Sequence, residues 1–320
     1  MMPKLTVLSE EEDSMRILVS KGDRAFVNAL RRTMIADVPK FAIDQMRIEL
    51  GMFQDKDGFS NPLDCPECKK MTPDKRPCEK CKFYESNFAV SDEQLAHRFA
   101  MLPIPTFHDE FHFQNECPEC RDMVEDQRGC PACQIIYAIT SVGEEDGKVV
   151  EASELNVIGD RRLDIPERFG KIPITKLYDG QVLHAYFYAV MGRGRDHAKF
   201  SPVSGVTFRA RQHGVMNVKS RSKMLFELDL NITAKDFDKE GRLTDIEKVD
   251  QLRSDLNHVG PGTDLEASFD GAITLEDVEG EYIFKFQTDG SMTARTCFEQ
   301  ACKELSNRFE ALTADLAEAF

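Results

Sequence analysis

The sequence predicts an α+β protein: one small domain is made from both chain ends, and a strand-rich, metal-stapled domain is inserted between them. Three observations carry this. Strand and helix patterns alternate at both ends, over residues 1–50 and 277–320. The intervening residues 51–276 hold short, loop-broken β-like runs. Eight of the ten cysteines lie in four C-x2-C pairs inside that middle segment.

At the N-terminal end, "KLTVL" (4–8) and "MRILVS" (15–20) read as strands. Asp23 then offers an N-cap to "RAFVNALRRTMIA" (24–36), where Phe26, Leu30 and Met34 recur at i, i+4 spacing on one helical face. Pro39 stops the helix, and "FAIDQMRIEL" (41–50) resumes an extended pattern. At the other end, "EYIFKFQT" (281–288) alternates with period two and "DG" (289–290) supplies a turn. Ser291 or Thr293 can cap the long helix that follows. On that helix Phe298, Ala301, Leu305, Phe309, Leu312 and Leu316 step by three and four residues, a narrow apolar seam suited to packing on another helix. The competing reading is packing against the chain's own core. Cys297 and Cys302, five apart on this helix, lack a chelating spacing.

The inserted segment carries "CPECKKMTPDKRPCEKC" (65–81) and, 52 residues later, "CPECRDMVEDQRGCPAC" (117–133). Both read C-x2-C-x9-C-x2-C. A C-x2-C turn presents two thiolates to one ion, and a second such turn completes a tetrahedral S4 shell. Cys65, Cys68, Cys78 and Cys81 therefore form one expected zinc clip; Cys117, Cys120, Cys130 and Cys133 form the other. Four cysteines fill the shell and leave no open position, so both ions are expected to be structural. The loops differ in charge. Residues 65–82 carry six Lys/Arg against three acids, whereas Glu119, Asp122, Glu125 and Asp126 make the second loop acidic.

Two further patterns bear on metal. "HDEFH", with His108 and His112, is not H-E-x-x-H and follows the helix-hostile "PIP" at 103–105, so it reads as a loop. Within 236–247, Asp236, Asp238, Glu240, Gly241 and Glu247 match positions of a calcium loop. The upstream "MLFELDLNI" (224–232) alternates like a strand rather than an entering helix, and an acidic turn before a helix is the competing reading.

Net charge is −15 and the pI about 5.0. Gripping phosphates requires a basic surplus, so this chain is a poor candidate for holding a nucleic acid directly. No run approaches a membrane span and no secretory signal is visible, which points to a cytoplasmic chain. No P-loop, nucleophile elbow or zincin motif occurs, and no catalytic residues are expected.

Four stretches together resemble one family: "NALRRTMIADVPKFAIDQMRIE" (28–49), "AHRFAMLPIP" (96–105), "IPITKLYDGQVLHAYFYAVMGRGRDHAKFSPV" (172–203) and "YIFKFQTDGSMTA" (282–294). They are similar to the D subunits of archaeal DNA-directed RNA polymerases. That family is the counterpart of the third-largest subunit of eukaryotic RNA polymerase II and of the bacterial α N-terminal domain. The resemblance implies a discontinuous α-like dimerisation domain and a non-catalytic assembly platform. The platform would heterodimerise with an α-like partner, subunit L, join the small subunits N and P, and dock on the large subunits. It also places Arg31 and Arg32 at subunit contacts. Some relatives carry a ferredoxin-like domain with an iron–sulfur cluster. Residues 203–296 here contain no cysteine, so 203–276 is expected to be at most a cluster-less remnant of it. The first clip lies outside the family pattern. The rival reading, a free-standing double zinc-knuckle binder of nucleic acid, predicts salt-dependent DNA or RNA affinity in the isolated chain.

Overall fold

The structure, a computed structural model, describes residues 3–49, 52–54, 68–72, 83–85, 90–124, 127–228, 231–260, 262–269 and 271–319. It is a mixed helix and sheet protein, and the strand pairs that assemble its sheets are antiparallel. The chain divides into two compact units: residues 1–11, 15–31 and 205–286, and residues 12–14, 32–204 and 287–320.

The first unit holds a five-stranded sheet in the order β1-β2-β13-β11-β12. β1 (Lys4–Glu10) and β2 (Ser14–Ser20) are the two strands legible from the N-terminal sequence, and they pair with Lys4 opposite Ser20. Alternation on β2 buries Met15, Ile17 and Val19 and leaves the residues between them half-exposed, as a period of two requires. β13 (Ile273–Thr288) starts eight residues before the alternating run that announced it, and β11 (Val203–Met216) is nearly as long.

Between those two strands lie α3 (Lys219–Phe226), β12 (Arg242–Leu243), α4 (Ile246–Val259) and α5 (Glu266–Phe269). They have a core of their own, including Ile232, Phe237, Leu243, Val249, Leu252 and Phe269. Asp245 caps α4 by accepting from Lys248 N at 2.9 Å. α3 corrects the strand expected upstream of 232. Met224, Leu225 and Phe226 are consecutive apolar residues without a period of two, and they end a helix. Phe226 packs on the core, and the buried Ser222 hydroxyl donates to the carbonyls of Val218 and Ala272.

The second unit is built on a four-stranded sheet, β3-β10-β6-β8, of β3 (Pro39–Ile48), β10 (Val182–Arg193), β6 (Gln134–Val142) and β8 (Asn156–Val157). On β10, Leu183, Ala185, Phe187, Ala189 and Met191 all point inward. α2 (Asp92–Ala100) covers that face. Ser91 accepts from Gln94 N, the acids Asp92 and Glu93 occupy the first turn, and His97 and Arg98 the last, each favourable to the helix dipole. Its Leu95 and Phe99, four residues apart, are fully buried; Phe99 lies 4.2 Å from Phe187 between ring centroids. Two smaller pairs complete the unit: β7 (Lys148–Glu151) with β9 (Pro173–Leu177), and β4 (Met52–Gln54) with β5 (Phe83–Glu85).

α1 (Arg24–Ala36) contributes residues to both units. Its span is the one the sequence indicated, and Phe26 N donates to the Asp23 carboxylate at 2.6 Å. Its buried residues include Val27, Leu30 and Met34, with Phe26 only half-buried. Leu30 and Met34 thus lie on the buried face as expected, and Val27 rather than Phe26 begins it. α6 (Ala294–Ala319) follows the tight turn at Gly290, whose φ of 93° suits glycine. Of the two expected caps Thr293 serves, its hydroxyl accepting from Thr296 N at 3.2 Å.

Candidate metal centre and subunit-contact surface

The clip at 117–133 is assembled from two copies of one backbone device. In the first pair, the amides of Cys120 and Arg121 both donate to the Cys117 carbonyl, at 3.1 and 2.9 Å. In the second, the amides of Cys133 and Gln134 do the same to the Cys130 carbonyl, both at 3.0 Å. Each C-x2-C therefore closes on itself, and its two sulfurs face the same way. Arg128 ties down the spacer by donating to the carbonyls of Met123 and Arg121. His112 N donates to Ala132 O at 3.0 Å, and β6 begins immediately after Cys133.

The four sulfurs converge. Cys117–Cys130, Cys130–Cys133 and Cys133–Cys120 are separated by 3.4, 3.6 and 3.7 Å, and all four lie within 4.8 Å of one another. A tetrahedron with metal–sulfur bonds of about 2.3 Å has an edge of roughly 3.8 Å, so the donor set fits such an ion. These distances also exclude disulfides, and all four thiols are free. Cys117, Cys120 and Cys133 are buried and Cys130 half-buried. Amide donation from Gly129 and Cys130 lowers the Cys120 thiol to about 7. Burial, with the Cys117 sulfur next to it, pushes Cys130 up to about 11; burial and the Cys130 sulfur push Cys133 up as well. Packed thiols resist ionising together, and a bound cation is what would reverse that. The cluster can therefore bind a metal ion.

The first clip falls almost wholly outside the described residues: Cys65, Cys78 and Cys81 do, and so does the side chain of Cys68, whose backbone begins a short 3-10 turn. The hairpin of β4 and β5 brackets it, with Gln54 opposite Phe83.

Neither of the other two metal patterns brings three or more possible ligands together among the described residues. His108 sits in a turn, its ring Nε2 donating to Pro39 O at 2.9 Å, while His112 is exposed elsewhere on the loop. At 236–247 the three aspartates are already engaged. Asp236 pairs with Lys248 at 2.5 Å and accepts from Thr233, Asp238 accepts from Glu240 N and Arg242 N, and Asp245 caps α4. Among the described residues, the cysteine tetrad is the sole group of three or more such side chains placed to share an ion.

Along the seam of α6, Ala301 is fully buried, and Phe298 and Leu305 are half-buried. Beyond them Phe309, Leu312 and Leu316 stand 58, 61 and 58% exposed. The helix is held in the second unit by a charge network that sequence reasoning missed. Arg193 donates to Glu304 at 2.7 Å and to the carbonyl of Asp37, and its guanidinium lies over the Phe113 ring at 4.8 Å. The Asp37 carboxylate, 2% exposed, accepts from Arg308 and lies 3.7 Å from Arg195. Lys40, equally buried, pairs with Asp289 and donates to the Lys199 carbonyl. The "GRGRDHAKF" segment (192–200) thus braces α6 from within. Gly194 is required there, since a Cβ would lie 2.0 Å from the Ile35 carbonyl. The missed signal was local: Asp37 and Lys40 flank Val38 and Pro39 just before an apolar strand, where an unpaired charge would be expensive.

Arg31 and Arg32 occupy the second half of α1, Arg31 half-buried with its Nε donating to Asn28 at 3.2 Å and Arg32 exposed.

The family model described as the RNA polymerase Rpb3/Rpb11 dimerisation domain matches residues 16–309. The chain belongs to this family. Among its relatives, the DNA-directed RNA polymerase subunit Rpo3 of Picrophilus torridus is 27% identical over 98% of this chain and 100% of its own length. The Rpo3 of Thermococcus kodakarensis is 26% identical over 96% of both chains. That of Archaeoglobus fulgidus reaches 30% over 68% of this chain and 64% of its own. In a member of a dimerisation family, three large apolar side chains exposed on one helix have a ready explanation. The family match ends at residue 309, where that exposure begins.

Proposed function

We propose that this chain is a non-catalytic assembly-platform subunit of a multisubunit DNA-directed RNA polymerase, working in the cytoplasm. Its dimerising module would draw on residues 1–50 and 277–320, with α6 supplying the apolar seam. Its partner would be the α-like subunit L, with small subunits N and P and the large subunits docking on the pair. The carrying observation is the unpartnered seam Phe309–Leu312–Leu316 in a chain of a dimerisation family. Burying each of these side chains fully would contribute up to about 1.5–3 kcal/mol before the cost of association is met. Leu305, Ala301 and Phe298 would extend the seam inward to where α6 is anchored, and Arg31 and Arg32 would make fork-like contacts with carboxylates of neighbouring subunits.

The tetrad Cys117, Cys120, Cys130 and Cys133 would hold a structural zinc ion, supported by the fit of its sulfur spacings to an S4 shell. Cys65, Cys68, Cys78 and Cys81 repeat the same spacing and would hold a second. Such an ion supplies folding energy to loops that lack a large apolar core. The aspartates at 236–247, engaged with other partners, give calcium no support. Residues 203–276, with their own core and no cysteine, fit a domain without a cluster.

Native mass spectrometry of the assembly purified through this chain tests the reading. The expected result is an α-like partner, large polymerase subunits and two zinc mass increments on this chain. A chain recovered alone or with nucleic acid only would overturn the platform role. A single increment would remove the first clip.

A further inference from the structure

Residues 12–14 belong to the second unit, where they lie against the start of α6. A helix leaves its first amides without acceptors in its own backbone. On α6 the Thr293 hydroxyl accepts from Thr296 N, and the acceptor for Ala294 N comes from the distant turn: Ala294 N donates to Glu12 O at 2.8 Å. Just before the helix, Thr288 N donates to Asp13 O at 2.7 Å, across 275 residues of sequence. Arg168 grips this turn. Its Nη1 and Nη2 donate to the two carboxylate oxygens of Asp13 at 2.5 and 2.9 Å, Nη1 lies 3.4 Å from the Glu12 carboxylate, and the guanidinium rests over the Phe169 ring at 4.7 Å. A two-pronged pair of this kind fixes both partners in one geometry, and the ring beneath orients it. Gly290 keeps the space open, since a Cβ there would lie 2.3 Å from the Phe169 ring and 3.1 Å from Arg168 Nη2.

The grip is at the surface. The Arg168 and Asp13 side chains are 36 and 39% exposed, whereas the Asp37 that holds Arg308 is 2% exposed. Exposed pairs are weak, and the anchors of α6 at Glu304 and Arg308 share no residue with this one. We propose that residues 12–14 are a detachable strap over the start of α6. Docked through Arg168, they complete the first turn of the helix. Released, they let residues 288–296 open while the helix beyond Glu304 stays in place. Phe298, the innermost residue of the apolar seam, follows directly on that first turn, so release disturbs the seam at its inner end and leaves Phe309, Leu312 and Leu316 as they were. The strap itself is independent of the platform role; its coupling to a partner rests on that role.

Amide hydrogen exchange on the full chain tests the strap. Arg168→Gln should speed exchange at Thr288 and Ala294 by about tenfold or more and leave the amides of 305–309 within about twofold of the parent. Should that variant not fold, Asp13→Asn removes the same pair from its other side. The double change Asp13→Arg with Arg168→Asp restores the pair with its signs exchanged and should return both amides to within about threefold of the parent. Unchanged exchange at Thr288 and Ala294, or an equal rise along all of α6, overturns the proposal. A rise that the exchanged pair leaves in place overturns the part given to Arg168. Partner binding is the second readout: Arg168→Gln should weaken it by about threefold or more with the outer seam intact, and equal affinity overturns the coupling. Should neither protein recover an α-like partner, the platform role falls and the exchange rates alone decide on the strap.

Discussion

α6 has two halves of opposite character. Between Ala294 and Leu305 the seam is covered: Cys297 and Ala301 are buried, Phe298 and Leu305 half-buried. From Ser306 to Glu318 every side chain is exposed. The apolar spacing does not change between them. A period of three and four residues records that one face will be covered, without recording by what. Ion pairs brace the helix on both sides of that divide, Arg193–Glu304 at the end of the covered half and Arg308–Asp37 one turn into the exposed half.

Substitutions on either side of that divide should behave differently. Ala301→Asp places a carboxylate where nothing can pair with it and should destabilise the fold by about 4 kcal/mol or more, seen as a lost or strongly lowered urea midpoint. An unchanged midpoint would mean that the covered half is not core. Next in size, Phe309→Asp should weaken partner binding roughly hundredfold, about 2.7 kcal/mol, and leave the midpoint of the isolated chain unmoved. Unaltered binding would break the contrast between the halves. Glu304→Gln removes the charge facing Arg193 at the brace and should lower stability by about 1–2 kcal/mol without reducing the apolar area available to a partner. Equal loss of binding and stability would show that the brace and the seam are one element.

The smallest effect concerns pH. Burial holds His108 below its usual 6.5, against weaker opposing contributions from the Pro39 carbonyl and Asp109; Lys303 and Glu304 on the covered half of α6 also act on it. The unfolded chain takes up this proton at a higher pH than the folded one. The stabilisation is therefore complete above about pH 6.5 and drains away as pH falls below it. His108→Gln should flatten the fall in urea midpoint between pH 7.5 and 5.5. An identical slope in both proteins would place the titration elsewhere.

Much of this molecule can be read from local pattern. α1 and β2 follow from a cap and a period, and the cysteine tetrad converges because the C-x2-C turn is a local structure. What escaped is non-local. The first half of β13 is strand because β11 lies beside it, although Glu276, Asp277, Glu279 and Gly280 break any apolar alternation. The helix α3 ends on Phe226, which packs on a core that α4 and α5 complete. The partners of Asp37 and Lys40 are up to 271 residues away in sequence, so no window along the chain could have assigned them.

The bracing of α6 also sets how the protein answers to its solvent. Mobile ions screen exposed charges over about 8 Å at physiological ionic strength but reach a carboxylate as enclosed as Asp37 poorly. Heating weakens water's hold on charged groups, so the desolvation penalty of such pairs falls as temperature rises. Concentrated salt or heat should therefore loosen surface pairs such as Arg121–Asp122 well before the root of α6 gives way.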